Sequence, residues 1–323
     1  MIVAGVDEAG YGPLLGPLVV GCCAFDLGDL GDGENLPCLW KRLRRLVGKK
    51  RSASGRKLHI NDSKIVYSPA LGLKELERSV LAVLAAAGEA PEDLSALFTR
   101  TAEHVVPELA DYPWYRPCPG ERFPLEQESA SVGAMANALR QEMQRTNTLC
   151  VHLSARVVLE RQLNTQIKAT RNKASVLFST TAIHLEEILR RHGHGPLTII
   201  CDQHGGREHY GSHLRLMFDQ WSLEILSEGN GLAEYNLHRD GNTVRLIFRE
   251  KAEMSCLAVA LASMLSKYLR ETLMRRFNAY WAQHCPKVVP TAGYYGDGAR
   301  FLRDIAPKRR ELGIRDEQLI RSR

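Results

Sequence analysis

The sequence is informative first for what it lacks. None of its 8 cysteines forms a CxxC pair. Cys22 and Cys23 are adjacent in an apolar run, and Cys38, Cys118, Cys150, Cys201, Cys256 and Cys285 are scattered. This spacing argues against a zinc ribbon and a secreted disulfide scaffold, and predicts reduced thiols in a cytoplasm. No apolar run reaches the roughly 18 residues of a membrane-spanning helix. The opening MIVAGVDEAG carries two acids early, which argues against a secretory signal. There is no internal repeat and no low-complexity tract. GYGPLLGP is glycine-rich, but no Gly-Lys-Ser/Thr follows it and no acid stands at the dinucleotide spacing, so a nucleotide phosphate loop is disfavoured.

What is present fits a soluble chain with a substantial core. Of 323 residues, 44% are hydrophobic and 25% charged, both ordinary for a globular protein. Lys and Arg number 43 against 37 Asp and Glu, a net charge of +6 that is compatible with a polyanionic partner. The basic residues cluster. Lys41, Arg42, Arg44, Arg45, Lys49, Lys50, Arg51, Arg56 and Lys57 form one group. Lys308, Arg309, Arg310, Arg315, Arg321 and Arg323 form another. Each group is either a phosphate-neutralising patch or a solvated face.

Periodicity and breakers predict the elements. IVAGV (2–6) and LVVGCCAF (18–25) read as a strand pair joined through GYGPLLGP. LWKRLRRLV has helical spacing, and 69–88 reads as one amphipathic helix with Pro69 at its start and Gly88 as its stop. The proline-rich stretch 107–124 is expected to be irregular, with Trp114 and Tyr115 packing the loop. ESASVGAMANALRQEMQR reads as a helix, LCVHLSARVV (149–158) as a strand running into a turn, and 159–191 as one long helix. LTIICD (197–202) is a buried strand, LEIL, AEYNL and TVRLIF are further strands, and a long helix begins at EKAEM. The order predicts an α/β fold, a central mixed sheet flanked by helices. Residues 1–323 are expected to form a single domain. Cys22, Cys23, Cys201 and Cys256 read as small core residues, and His192 and His194 as surface residues.

Four acids stand at the ends of these core elements: Asp7, Glu8, Asp202 and Glu253. Carboxylates so placed repel one another unless a cation offsets them. Convergence on a hard-cation site explains all four, with Mg²⁺ the natural ion and Mn²⁺ a substitute. Taken singly, Glu253 is equally a helix-start charge and Asp202 a turn residue.

The motifs resemble those of type 2 ribonucleases H, the ribonuclease HII family. GVDEAGYGPLLGP is similar to that family's opening DEAGRGP motif, and NDSK (61–64) to its second signature. LSARVVLERQLN (153–164), TIICD, ALASMLSK (260–267) and AGYYGDG (292–298) match later segments in order. Counting ten residues back from Ser263 gives Glu253 as the fourth acid. The resemblance implies a ribonuclease H-like fold and endonucleolytic hydrolysis of the RNA strand of RNA–DNA hybrids; whether ribonucleotides embedded in a DNA duplex are also cut stays open. Two metal ions on Asp7, Glu8, Asp202 and Glu253 would leave 5′-phosphate and 3′-hydroxyl ends. It implies substrate contacts from Gly10, Tyr11 and Gly12 at the 2′-hydroxyl and from Tyr294 (or Tyr295) at the sugar. Asn61, Ser63, Lys64, Lys267 and Arg270 are implied phosphate contacts. No membrane partner is expected, and the oligomeric state stays open.

The sequence departs from the family pattern in three ways. Tyr11 stands where the family has Arg. Glu253 stands where it has Asp, as in the sister type 3 enzymes. Extra length is expected as insertions near 28–57, 88–125 and 207–240, with a charged helical tail. Two other readings therefore stay open: a catalytically weakened nucleic-acid-binding paralogue, and another metal-dependent nuclease of the same superfold.

Overall fold

The computed structural model describes residues 1–29, 36–117 and 121–322. Cys118, Pro119 and Arg323 lie outside the described residues, as do parts of the first two expected insertions. In chain order the elements are β1 (Ile2–Ala9), β2 (Leu18–Asp26), α1 (Leu39–Arg42), β3 (Val47–Gly48), β4 (Leu58–His59), α2 (Ser63–Val66), α3 (Lys74–Ala86), α4 (Leu94–Ala102), α5 (Val106–Leu109) and α6 (Ser129–Arg145). They continue as β5 (Leu149–Val158), α7 (Glu160–Thr170), α8 (Lys173–His192), β6 (Leu197–Asp202), α9 (Gly211–Met217), β7 (Ser222–Gly229), β8 (Leu232–Arg239), β9 (Asn242–Arg249), α10 (Leu257–His284), α11 (Tyr295–Glu311) and α12 (Asp316–Leu319).

Seven strands form one mixed sheet in the order β5-β2-β1-β6-β9-β8-β7. The β1–β2 and β2–β5 pairs are antiparallel, whereas β6 runs parallel to both β1 and β9. This is the expected mixed sheet flanked by helices. Alternation along each strand feeds two cores. Val19, Cys23 and Phe25 face α10 and α3, while Val20, Cys22 and Ala24 face α7 and α8.

Helix α10 lies directly on β1 and β2 because glycines make room for it. A Cβ on Gly5 would fall 2.2 Å from the Val259 nitrogen, and one on Gly21 2.5 Å from the Ala262 carbonyl oxygen. Both obstacles are helix backbone, which cannot swing aside. Gly5→Ala is therefore expected to lower stability by about 1–3 kcal/mol, the usual cost of overpacking, measured by urea denaturation. An unchanged midpoint would show that α10 can lift without cost.

Several sequence expectations need correction. The helix expected over 69–88 begins at Lys74, because residues 69–72 form a turn with Gly72 at φ +67°. Gly88, at φ +90°, does end it as expected. The single helix expected over 159–191 is two, α7 and α8, divided where Arg171 adopts φ +50° and Asn172 caps the second through its side chain. LWKRLRRLV is helical only over Leu39–Arg42. The strands expected at LEIL and AEYNL are present as β7 and β8, so the stretch 207–240 adds two strands to the sheet along with α9. Trp114 and Tyr115 are buried, with Trp114 stacked on Trp281 at 6.4 Å between centroids.

Candidate active site

The sheet order brings the acids together. In β1 and β6, Val6 pairs with Cys201 in parallel register. Asp7 and Glu8 therefore leave the end of β1 beside Asp202 at the end of β6. Glu253 sits on a 3₁₀ turn (Ala252–Met254) between β9 and α10, not on the helix itself. The turn is tied to β6 by the Ala252 N–H, which donates to Asp202 Oδ1 at 3.0 Å. Asp7 is held from the α10 side. The Ser266 hydroxyl donates to its carbonyl at 3.1 Å.

The electrostatics report mutual crowding. Burial and then the charges of Glu8, Asp202 and Glu253 push the Asp7 carboxyl well above the usual range. Burial and Asp202 raise both Glu8 and Glu253 to about 7. Asp202 is raised as well, chiefly by burial. Glu253 Oε2 is buried without a hydrogen-bond partner. Four carboxyl groups that resist ionising, one with an orphaned oxygen, fit a set of oxygen donors for a hard divalent cation.

A cation from the chain lies beside them. Lys64 belongs to the NDSK segment, which forms α2 capped by Asp62. Burial pulls its ammonium down, but Asp62, Asp7, Glu253 and Asp202 outweigh burial and hold its pKa above the usual value. Ser63 fixes α2 to α10 by accepting from the Ser263 hydroxyl at 3.0 Å. The Asn61 amide is occupied locally, donating to the Lys49 carbonyl at 3.0 Å.

The loop 10–17 flanks the acids and is fastened at several points. Gly10 adopts φ +84°, and a Cβ there would collide with Arg270 and the Pro17 carbonyl. Gly293 accepts from the Leu14 and Leu15 N–H groups at 2.8 and 3.1 Å. That lacing seats Tyr294, 51% exposed, at the start of α11. Tyr11 lies with its ring 5.0 Å from the Lys173 ammonium.

Two arginines act differently from expectation. Arg270, expected at a phosphate, is 1% exposed and donates to the Leu15 and Ala292 carbonyls and to Glu271. Lys267 is likewise paired with Glu271 at 2.7 Å. Arg321, counted in the basic tail, is 2% exposed and donates to the carbonyls of Gly10, Tyr11 and Gly16. Burial lowers its pKa to about 10, so it stays charged at neutral pH. Sequence reading missed this role, because nothing local separates Arg321 from its exposed neighbours. In the other basic group Arg42 is similarly spent on the Leu27, Thr146 and Asn147 carbonyls.

The pH dependence of stability has a definite sign. Glu8 and Glu253 bind protons more tightly folded than unfolded, so the metal-free fold loses stability as pH rises from about 4.5 to about 7. Metal-free melting is expected to fall across that window, and Mg²⁺ or Mn²⁺ to raise the melting temperature more at pH 8 than at pH 5. A flat metal-free profile would contradict the crowding.

No family model matches the sequence. Over 77 residues it is 36% identical to a ribonuclease HII of Chlamydia abortus, which is 24% of this chain and 32% of that protein. A Chlamydia caviae ribonuclease HII matches to the same extent. The chain thus spans about a third of the length of the curated relatives it matches. Among solved structures, a ribonuclease HII of Archaeoglobus fulgidus in complex with PCNA is 16% identical with TM-score 0.45, covering 100% of this chain and 95% of that one. Ribonuclease H2 of Pyrococcus horikoshii is 15% identical with TM-score 0.45, covering 99% and 92%. Bst-RNase HIII in complex with Mn²⁺ is 14% identical with TM-score 0.41, covering 99% and 66%. At such scores the fold rests on the sheet order itself. The sequence similarity is to ribonuclease HII.

Proposed function

We propose that this chain hydrolyses the RNA strand of RNA–DNA hybrids endonucleolytically, leaving 5′-phosphate and 3′-hydroxyl ends. The observation that carries the proposal is the group of four mutually crowded carboxyl groups at the ends of β1 and β6 and before α10. Asp7, Glu8, Asp202 and Glu253 would hold two divalent ions, Mg²⁺ or Mn²⁺. Bound there, such ions supply Lewis acidity toward the phosphodiester and its attacking water.

The remaining residues bind and orient. Lys64 places a positive charge beside the acids, where a scissile phosphate would lie. Gly12, beside whose Cα lies open space, leaves the backbone next to Tyr11 accessible to a 2′-hydroxyl, the group that distinguishes RNA from DNA, while Gly10 lets the loop pack onto Arg270. Exposed Tyr294 offers a ring to the sugar next to the cut. Arg270 and Arg321 touch no substrate in this scheme, and hold the loop that does.

The test is a cleavage assay with Mg²⁺ or Mn²⁺ on three duplexes: one with a long RNA tract, one with a single embedded ribonucleotide, and one of DNA only. Cleavage of the RNA tract alone supports hybrid hydrolysis with junction recognition lost at Tyr11. Cleavage of both RNA-containing duplexes extends the reading to embedded ribonucleotides. Cleavage of DNA alone assigns a different nuclease, and binding without cleavage assigns a weakened paralogue.

A further inference from the structure

We propose that Cys22, His152 and His184 form a second metal site, for Zn²⁺, separate from the acidic centre. A ligand atom of each lies within 4.8 Å of the other two, and all three residues are buried. They come from three elements. Cys22 is on β2, His152 on the neighbouring β5, and His184 on α8, which covers that face of the sheet.

His184 is prepared as a ligand. Its Nε2 lies 3.0 Å from the Val20 carbonyl oxygen. A carbonyl only accepts, so Nε2 carries the proton and Nδ1 holds the lone pair. That Nδ1 is fully buried and has no partner. A neutral imidazole, fixed through one nitrogen to a backbone carbonyl and free at the other, is the arrangement typical of metal-bound histidine. His152 has a similar support, with Ser154 Oγ 2.7 Å from its Nε2. Burial holds both rings neutral, lowering His152 to about 4 and His184 to about 3.

The donor set selects the ion. One thiolate and two imidazoles suit Zn²⁺, whereas Mg²⁺ and Mn²⁺ favour the oxygens of the acidic centre. Zinc bonds of about 2.0–2.3 Å require the donors to draw in by roughly 1 Å. Zn²⁺ displaces the Cys22 thiol proton to solvent, one proton per ion, and the neutral rings release none. The fourth position is left to a solvent molecule; Glu187, one turn along α8 and ion-paired with Arg191 at 2.8 Å, adds a negative charge that reaches both Cys22 and His152. A cleft of about 570 Å³ bordered by His152, Ser154, Glu187 and Arg191 gives the ion a route in from solvent.

The experiment loads the full chain, reduced, with Zn²⁺ or with Co²⁺ as a spectroscopic stand-in. One retained equivalent and a cobalt–thiolate charge-transfer band are expected. The band is expected to vanish in Cys22→Ser and His184→Gln, checked for fold by circular dichroism. It is expected to persist in Asp7→Asn, which alters the acidic centre, and in Cys285→Ser. No thiolate band in the unaltered protein, or a band surviving Cys22→Ser, overturns the proposal. Should the variants not fold, zinc-edge anomalous scattering from crystals of the unaltered protein decides. A peak between the three side chains supports the site, and zinc only at the acids overturns it.

Discussion

Asp7→Asn is expected to lower RNA-strand cleavage on the order of 10³-fold or more, the scale on which a dominant electrostatic contribution is lost. The same change should raise the stability of the metal-free protein at pH 8. Asn has nearly the shape of Asp and carries no charge, so it relieves the repulsion from Glu8, Asp202 and Glu253 that raises the Asp7 carboxyl. A residue serving the fold alone would lose stability on substitution. Loss of cleavage together with a higher metal-free melting temperature is thus the signature of a carboxylate kept for an ion. If cleavage survives, the assignment of Asp7 fails. If cleavage and stability fall together, Asp7 is a structural acid.

Arg321→Ala is expected to cost about 2–5 kcal/mol, because it strips one buried and two partly buried carbonyls of a charged donor. The larger interest is in kinetics. Gly10, Tyr11 and Gly16 carry the loop proposed to meet the 2′-hydroxyl, and a displacement of about 1 Å in a positioning element can cost on the order of 10²-fold. Cleavage should fall by that scale under conditions where the variant is still folded, as judged by urea denaturation. Arg321→Lys should recover part of both losses, since one ammonium can serve only some of the carbonyls. Full cleavage by the folded Ala variant would show that the loop keeps its place without the clasp.

These two residues mark how far the sequence could be read. Asp7 was legible because an apolar, β-branched run ends in two acids, and that pattern announces a core strand delivering charge. LTIICD was read to its observed end for the same reason. Arg321 was not legible. Its meaning depends on a loop 311 residues earlier in the chain, and its own neighbourhood is charged like any solvated tail. The break between α7 and α8 was hidden because Arg171 in a left-handed conformation carries no composition signal. Glu253 was located by counting from Ser263, yet its place on a tight turn follows from Lys251 at φ +55° and from the Asp202 tie. His184 was unreadable for a similar reason, since only the folded sheet puts Cys22 and His152 beneath it.

The clasp of Arg321 on the Gly10–Gly16 loop also sets a schedule. A ribosome adding about 5–20 residues per second needs roughly 15–60 s to travel from the loop to its clasp. During that interval β1 and β2 can pair, and later α10 can settle on their glycines, while the loop beside the acids still lacks its last fastening. A nascent chain thus carries Asp7 and Glu8 early, Asp202 and Glu253 much later, and the fastening of its loop last. Arg321 sets the moment at which the loop proposed to meet the RNA sugar gains its last support.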